Sequence, residues 1–173
     1  MRTLAALLGI LTLASAGAAG GPSLYDSTVP LVDDRGWRTT LSAWRGRPAI
    51  VSMEYANCRF ICSQTLARLK DIQTAADAAG RRFEFVVVSL DPRNDTPEAW
   101  RRYRKARGVE RGNWTFLTAS EADTPAMAQL LGVKYWLFDS HIMHDFRVLR
   151  LDAEGRIVGV METYDASAEA FVR

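Results

Sequence analysis

The sequence predicts one α/β domain, in which a central mixed sheet is flanked by helices. Two buried runs rich in β-branched residues, at 49–55 and 83–90, are each followed by a segment with helix-forming features. Continuous apolar strands that alternate with helices are typical of parallel βαβ units. Near the C-terminus the pattern changes to two strands around a tight turn, which indicates an antiparallel hairpin. These observations together predict parallel strands that are extended by antiparallel ones.

The first two βα units have clear boundaries. After the strand at 49–55, apolar residues at helical spacing extend from 66 to 76, and Gly80 ends the predicted helix. After the strand at 83–90, Thr96 is a helix cap, and the proline that follows it suits a first helical turn. We expect right-handed crossovers, with helices on both faces of the sheet.

A third unit and a hairpin complete the domain. The short strand 114–117 precedes a helix that begins at the capping-box-like segment 120–123. The hairpin is predicted to pair 144–151 with 156–161, and a last helix begins near Ser167. This order of elements is thioredoxin-like, and an open sheet of this kind has its reactive site at the carboxyl ends of the strands.

The N-terminus has the pattern of a secretory signal, with Arg2, an apolar run at 4–13 and small residues at 14–18. We expect residues 1–18 to be the signal peptide and residues 19–173 to be the thioredoxin-like domain. The apolar run is shorter than the roughly 20 residues of a membrane span. The mature protein is therefore expected to be exported, in a bacterium to the periplasm, and soluble. Membrane association is expected only if this segment is retained.

The charge balance argues against nucleic acid as a partner. The chain has 22 Lys and Arg against 20 Asp and Glu, a formal net charge of +2, so no general positive field surrounds it. The basic stretch at 101–107 is the one local excess, and on a helix such a stretch is expected to form a solvated face.

The two cysteines of the chain, Cys58 and Cys62, lie where the first strand passes into the first helix. Residues four apart on a helix share a face, at a separation that a disulfide tolerates and at which two sulfurs can hold one metal ion. A structural disulfide here would close only a tiny loop, worth about 2 kcal/mol in the chain-entropy model. A helix N-terminus favours the thiolate, which is both a nucleophile and a ligand for soft Cu(I). The pair therefore indicates redox or metal chemistry without deciding between them.

Both histidines, His141 and His144, lie shortly before the predicted hairpin. In the thioredoxin-like fold this part of the chain packs beside the cysteine turn, so an imidazole here could complete a site of two thiolates and one histidine. Such a donor set suits copper, whereas a structural zinc site normally has four protein ligands. The methionines Met53 and Met143 are expected to fill the core.

Four blocks of the sequence together carry a family resemblance: 31–36 with 46–48, the C-x-x-x-C segment 55–62, the aspartate-proline block 89–97 and the strand 114–117. They resemble the Sco/SenC family of copper-binding, thioredoxin-like assembly factors over nearly the whole mature chain. The family histidine stands eleven residues before the glycine of the hairpin turn, and counting back from Gly155 leads to His144. His141 has no counterpart, and His144 is expected to open the hairpin strand.

The resemblance implies that Cys58, Cys62 and His144 are copper ligands, with the CuA centre of cytochrome c oxidase as the usual client. The chain departs from the family in having Arg59 and Ser63 where a proline commonly follows each motif cysteine, and in lacking an evident membrane anchor. These departures leave the client protein open.

Two acidic residues, Asp91 and Asp95, belong to the aspartate-proline block. Either carboxylate could be an outer ligand or could orient the histidine. The preferred interpretation is that Asp95 or Thr96 caps the following helix.

Two functions fit these residues. One is an exported metallochaperone that binds copper at Cys58, Cys62 and His144 and passes it to a cuproenzyme, without turnover of its own. The other is a thiol-disulfide oxidoreductase that needs only the redox pair Cys58 and Cys62 and a partner protein that supplies reductant. The cysteine spacing and the histidine favour the metallochaperone, and reduction of a client's cysteines before metallation would join the two.

Overall fold

The computed structural model describes residues 21–57, 62–139 and 141–173, and for Cys62 and Ser63 it describes the backbone alone. The predicted signal peptide, residues 1–18, lies outside the described residues, as does Cys58. None of the helices in these described ranges combines the length and apolar character needed to cross a membrane.

Within the described residues, nine strands form a seven-stranded mixed sheet and a separate two-stranded hairpin. In chain order they are β1 (Leu31–Asp33), β2 (Arg38–Thr39), β3 (Ala49–Glu54), β4 (Glu84–Ser89), β5 (Trp114–Ala119), β6 (Tyr135–Phe138), β7 (His141–His144), β8 (Val148–Leu151) and β9 (Ile157–Met161). The large sheet has the order β2-β1-β5-β4-β3-β8-β9. Strands β3, β4 and β5 are parallel, while β1 and β8 join them antiparallel. The predicted mixed sheet is confirmed.

Four helices lie within the described residues, and two of them begin at a side-chain cap. They are α1 (Cys62–Ala78), α2 (Pro97–Arg107), α3 (Thr124–Leu131) and α4 (Ala168–Phe171). The side chain of Thr96 accepts a hydrogen bond from the Ala99 amide at 3.2 Å, so the predicted cap of α2 is confirmed. The helix α3 begins later than its capping-box pattern suggested, because Ser120 accepts the Asp123 amide within a turn that precedes the helix.

The helices cover both faces of the sheet, as predicted. On one face Leu69 of α1 and Trp100 of α2 share a buried cluster with Phe85 of β4. On the other face Met127 of α3 packs into a cluster with Val86, the next residue of β4. Successive residues of the central strands therefore enter opposite cores, since side chains alternate along a strand. Met53 is buried in the second cluster, which confirms it as core filler.

The basic stretch on α2 is partly used inside the molecule. Arg104 forms an ion pair with the carboxylate of Asp34, which is buried after β1. Arg101 donates to the backbone carbonyl of the same aspartate at 2.8 Å, and Arg102 pairs with Glu98 at 2.5 Å. Arg101 and Arg104 therefore join α2 to the residue that follows β1, whereas the pair of Arg102 and Glu98 lies within α2 on its exposed face.

The segment before the C-terminal hairpin differs from the sequence prediction. The hairpin strand β8 begins at Val148, so His144 does not open it. His144 instead ends β7, which pairs with β6 in a hairpin of its own that the sequence analysis missed. The apolar residues of this extra hairpin are largely exposed, including Trp136 and Leu137. Met143 is half-buried on β7 and is not core filler, unlike the expectation.

Candidate metal and thiol site

The cysteine turn lies at the carboxyl end of the central strand. Strand β3 ends at Glu54, residues Tyr55 to Asn57 follow, and Cys62 is the first residue of α1. The predicted strand, turn and helix are therefore present around the motif, although Cys58 lies outside the described residues. The position of Cys62 at a helix start is the position in which helix amides favour a thiolate.

His144 lies against the strand end that leads into this turn. Its ring centroid is 6.3 Å from that of Tyr55, with the two rings nearly perpendicular. Tyr55 precedes Cys58 by three residues, and three residues of chain extend by at most roughly 10 Å. The fold thus brings the imidazole against Tyr55, the residue that follows β3 and begins the segment leading to the cysteine motif, although the two residues are far apart in the sequence.

The surroundings of His144 select one tautomer. The Nδ1 atom lies 2.9 Å from the backbone carbonyl of Asp145, and a carbonyl can only accept, so Nδ1 carries the proton. The ring lone pair is then on Nε2, the usual arrangement of a metal-binding histidine. Burial lowers the pKa of His144, which keeps the ring neutral near physiological pH.

His141 has a different place on the same strand. Positions 141 and 144 are an odd number of residues apart on β7, so their side chains project from opposite faces of the hairpin. His144 pairs with Tyr135, which packs on the core, whereas His141 pairs with the exposed Phe138. The register therefore separates the two histidines and supports the preference for His144.

Asp95 anchors the chain that leads into the cysteine turn. Its carboxylate accepts the backbone amide of Ala56 at 3.0 Å and the hydroxyl of Ser89 at 2.6 Å, and it is fully buried. Burial raises the pKa of Asp95 to about 7. The expectation that Asp95 or Thr96 caps α2 is confirmed by Thr96, while the Asp95 carboxylate accepts the Ala56 amide in the segment that leads into the cysteine motif.

Asp91 contributes little to the site. Its carboxylate accepts both of its side-chain hydrogen bonds from Asn94, at 2.8 and 3.0 Å. In the described structure these bonds tie it to its own loop and not to His144.

We expect Asp95→Ala to destabilise the fold by about 2–4 kcal/mol, because it leaves the Ala56 amide and the Ser89 hydroxyl buried without their acceptor. Urea unfolding followed by tryptophan fluorescence measures this change. Asp91→Ala is the matched control, in which a neighbouring carboxylate of the same block is removed, and it should cost less than about 1 kcal/mol. Equal losses in both variants would contradict the anchoring role of Asp95.

Glu54 is the buried residue that the sequence analysis missed. It is the last residue of β3 and is fully buried, with Oε2 accepting the Tyr103 hydroxyl at 3.2 Å. Burial raises the pKa of Glu54 to about 8, so the side chain is largely protonated at neutral pH. The available sequence signal was a single carboxyl group at the end of a mostly apolar strand, four residues before Cys58.

Comparison with known proteins agrees with this architecture. The SCO1 protein homolog of Bacillus subtilis is 26% identical over 83 residues, which span 48% of this chain and 43% of that relative, less than half its length. Copper-bound ScoI of Arabidopsis thaliana has a TM-score of 0.73 and 22% identity over 90% of this chain and 94% of its own. BsSco, described as a member of the Sco family of cytochrome c oxidase assembly proteins with a disulfide switch, has a TM-score of 0.71 and 17% identity, over 86% of this chain and 92% of its own.

These structural likenesses show the thioredoxin-like α/β fold that the sequence predicted. The family model described as SCO1/SenC matches residues 18–173, nearly the whole chain. The chain belongs to the SCO1/SenC family.

Proposed function

We propose that this protein is an exported copper chaperone that holds copper as cargo on Cys58, Cys62 and His144. The observation that carries the proposal is the position of His144, buried against Tyr55 beside the cysteine turn with its lone pair on Nε2. Membership of the SCO1/SenC family adds support.

The donor set fits copper better than its competitors. Two thiolates and an imidazole are soft ligands that suit three-coordinate Cu(I), while a structural zinc site normally needs a fourth protein ligand. The neutral ring of His144 has no proton to lose before it binds a metal ion. The thiols must be reduced and deprotonated, so the redox state of the pair controls whether copper can be held.

The client that we propose is a cuproenzyme, and within that class the CuA centre of a cytochrome c oxidase subunit. The support is the family, together with BsSco, a fold relative assigned to cytochrome c oxidase assembly. Export through the N-terminal segment would place the chaperone outside the cytoplasm. The role is delivery of a metal ion and requires no turnover.

The same cysteine pair supports thiol-disulfide exchange as a second function. The observation that favours it is the place of Cys62 at the start of α1, where helix amides stabilise a thiolate nucleophile. Exchange would let the protein reduce the copper-binding cysteines of its client before metallation. A separate thiol reductant would then have to restore the pair.

Anaerobic titration of the reduced mature protein with Cu(I), against a competing chelator, tests the copper site. We expect one tight equivalent, and we expect Cys58→Ser and Cys62→Ser each to lower the affinity at least about 100-fold, since each removes a direct ligand. Met143→Leu is the control, because it removes a half-buried sulfur next to His144 without removing a ligand proposed for this site. Weak binding that neither cysteine variant changes would refute the chaperone proposal.

A further inference from the structure

The hairpin of β6 and β7 has two faces with different surroundings. On the inner face Tyr135 and Ile142 pack against one of the two cores, and His144 is buried. Because side chains alternate along a strand, the intervening residues project from the outer face. This outer face carries two aromatic residues from β6 and two potential metal ligands from β7, which are Trp136, Phe138, His141 and Met143.

The register of the hairpin brings these four side chains together. Trp136 lies opposite Met143, and Phe138 lies opposite His141. Directly opposite residues have Cβ atoms about 4.5–5.5 Å apart, so the indole stands next to the thioether. His141 and Met143 are two residues apart on one strand, a separation of roughly 7 Å along it. In the connecting turn Asp139 has a φ of 53°, the left-handed conformation that tight hairpin turns favour.

The outer face is open to solvent although it is rich in aromatic groups. Trp136 is 51% exposed and Phe138 is 63% exposed, while His141 and Met143 are half-buried. Exposed large apolar side chains that cluster on one surface are a common mark of a binding site. An ion from solvent can therefore reach the imidazole and the thioether without a change in the fold.

The donor atoms of this face suit a soft metal ion. A thioether selects Cu(I), and an imidazole is also a good copper ligand. The methionine side chain has three rotatable bonds, so its sulfur can turn towards the neighbouring ring. The face of an indole attracts a cation that lies over it. Histidine, cysteine, aspartate and glutamate side chains alone form no group of three that could hold a metal ion in the described ranges, so the thioether is what distinguishes this face.

We propose that His141 and Met143 form a second Cu(I) site on the outer face of this hairpin, with Trp136 lying over the bound ion. The site is separate from the one proposed on the cysteine pair, because His144 projects from the opposite face of the same strand. Its ligands are one imidazole nitrogen and one thioether sulfur, and binding requires no redox step.

The second site differs from the cysteine site in its response to oxidation. An imidazole and a thioether take no part in thiol-disulfide exchange, so this site keeps its ligands when Cys58 and Cys62 form a disulfide. With two neutral donors it binds Cu(I) more weakly than two thiolates and an imidazole do. A chelator that competes with the tight site removes Cu(I) from the weaker one. His141→Ala and Met143→Leu therefore remain suitable controls for the cysteine site.

The test is an anaerobic Cu(I) titration of the mature protein in which Cys58 and Cys62 are both replaced by serine. We expect one weak equivalent whose binding quenches tryptophan fluorescence. In this background His141→Ala and Met143→Leu should each lower the affinity at least about 10-fold, since each removes one of two ligands. Wild type with its Cys58 to Cys62 disulfide formed should bind the same weak equivalent.

The quenching identifies the place where the ion binds. The chain has five tryptophans, and only Trp136 lies on the outer face of the hairpin. Trp136→Phe should therefore remove most of the quenching by Cu(I) while the affinity falls less than it does in Met143→Leu. Zn(II) should not displace the ion, because a thioether is a poor ligand for zinc.

Two matched substitutions in the same background serve as controls. His144→Ala removes the other histidine of β7, and Met161→Leu removes a buried thioether of β9. Both should leave the weak Cu(I) affinity within about threefold of its starting value. The substitutions of His141 and Met143 lie outside both buried cores and outside the large sheet, so the fold is expected to persist in them.

The outcomes judge this site apart from the chaperone function. Absence of Cu(I) binding in the protein without cysteines, or binding that neither His141→Ala nor Met143→Leu weakens, overturns the second site. Loss of the weak equivalent in His144→Ala also overturns it, because the ion would then lie on the imidazole of the first site. None of these results changes the tight binding expected of the reduced wild type, which the earlier titration measures.

Discussion

His144→Ala should lower Cu(I) affinity at least about 100-fold while disulfide exchange by the cysteine pair stays nearly intact. Removal of groups that only orient a metal ligand typically costs 10- to 100-fold, so loss of a direct ligand is expected to cost more. Exchange needs only the two sulfurs, and His144 ends a hairpin outside the main sheet. The measurement is the anaerobic chelator competition, run beside an exchange assay on the same preparations.

His141→Ala is the matched control for this experiment. It removes the same side chain from the same strand, but from the opposite face of the hairpin. We expect less than about a threefold change in Cu(I) affinity, within the variation usual for surface substitutions. Equal effects of the two substitutions, or tight copper binding that survives His144→Ala, would exclude the proposed three-ligand site.

Glu54→Gln should change how the stability of the protein depends on pH. Below about pH 4.5 the carboxyl is protonated in both the folded and the unfolded chain, so it adds no pH dependence. As the pH rises from 4.5 to 8, the unfolded chain loses this proton while the folded chain retains it, so unfolding becomes easier. Each pH unit of this interval costs about 1.4 kcal/mol, up to about 5 kcal/mol by pH 8. The glutamine side chain has no such proton to lose, so Glu54→Gln does not undergo this loss of stability.

Urea unfolding at intervals from pH 5 to pH 9 measures the effect. The stability of Glu54→Gln relative to wild type should increase steadily with pH and level off above pH 8. Burial also raises the pKa of Asp95, to about 7, so this carboxyl adds a further loss of stability as the pH rises. The same urea experiment on Asp95→Asn measures the Asp95 contribution separately. Parallel curves for wild type and Glu54→Gln would show that the folded carboxyl does not hold its proton over this range.

The sequence already contained most of the proposed metal site. Cys58 and Cys62 stand out by their spacing at the junction of a strand and a helix, and α1 does begin at Cys62. His144 could be preferred over His141 by counting from Gly155, but the reason offered for its position was wrong, since it ends β7 and does not open β8. The role of His144 as a ligand stays a prediction, and only the strand predicted for it is corrected.

The hairpin of β6 and β7 escaped the sequence analysis because its residues carry no clear alternation of apolar and polar character. Trp136, Leu137 and Phe138 are consecutive apolar residues, and all three are exposed. A run of this kind predicts burial on both faces, so its true pairing with β7 depends on contacts that local periodicity does not report.

The sequence by itself determined the βα units of β3, β4 and β5, the C-terminal hairpin, the covered sheet and the cysteine motif at its carboxyl edge, because hydrophobic periodicity and capping are local properties of the chain. The tertiary structure alone decided the partners of the buried carboxyl groups. Asp95 accepts a hydrogen bond from the Ala56 amide, which is 39 residues away in the sequence. Glu54 accepts one from the Tyr103 hydroxyl, which is 49 residues away. Burial and hydrogen bonding set the pKa of such groups, and both arise only when distant segments pack together.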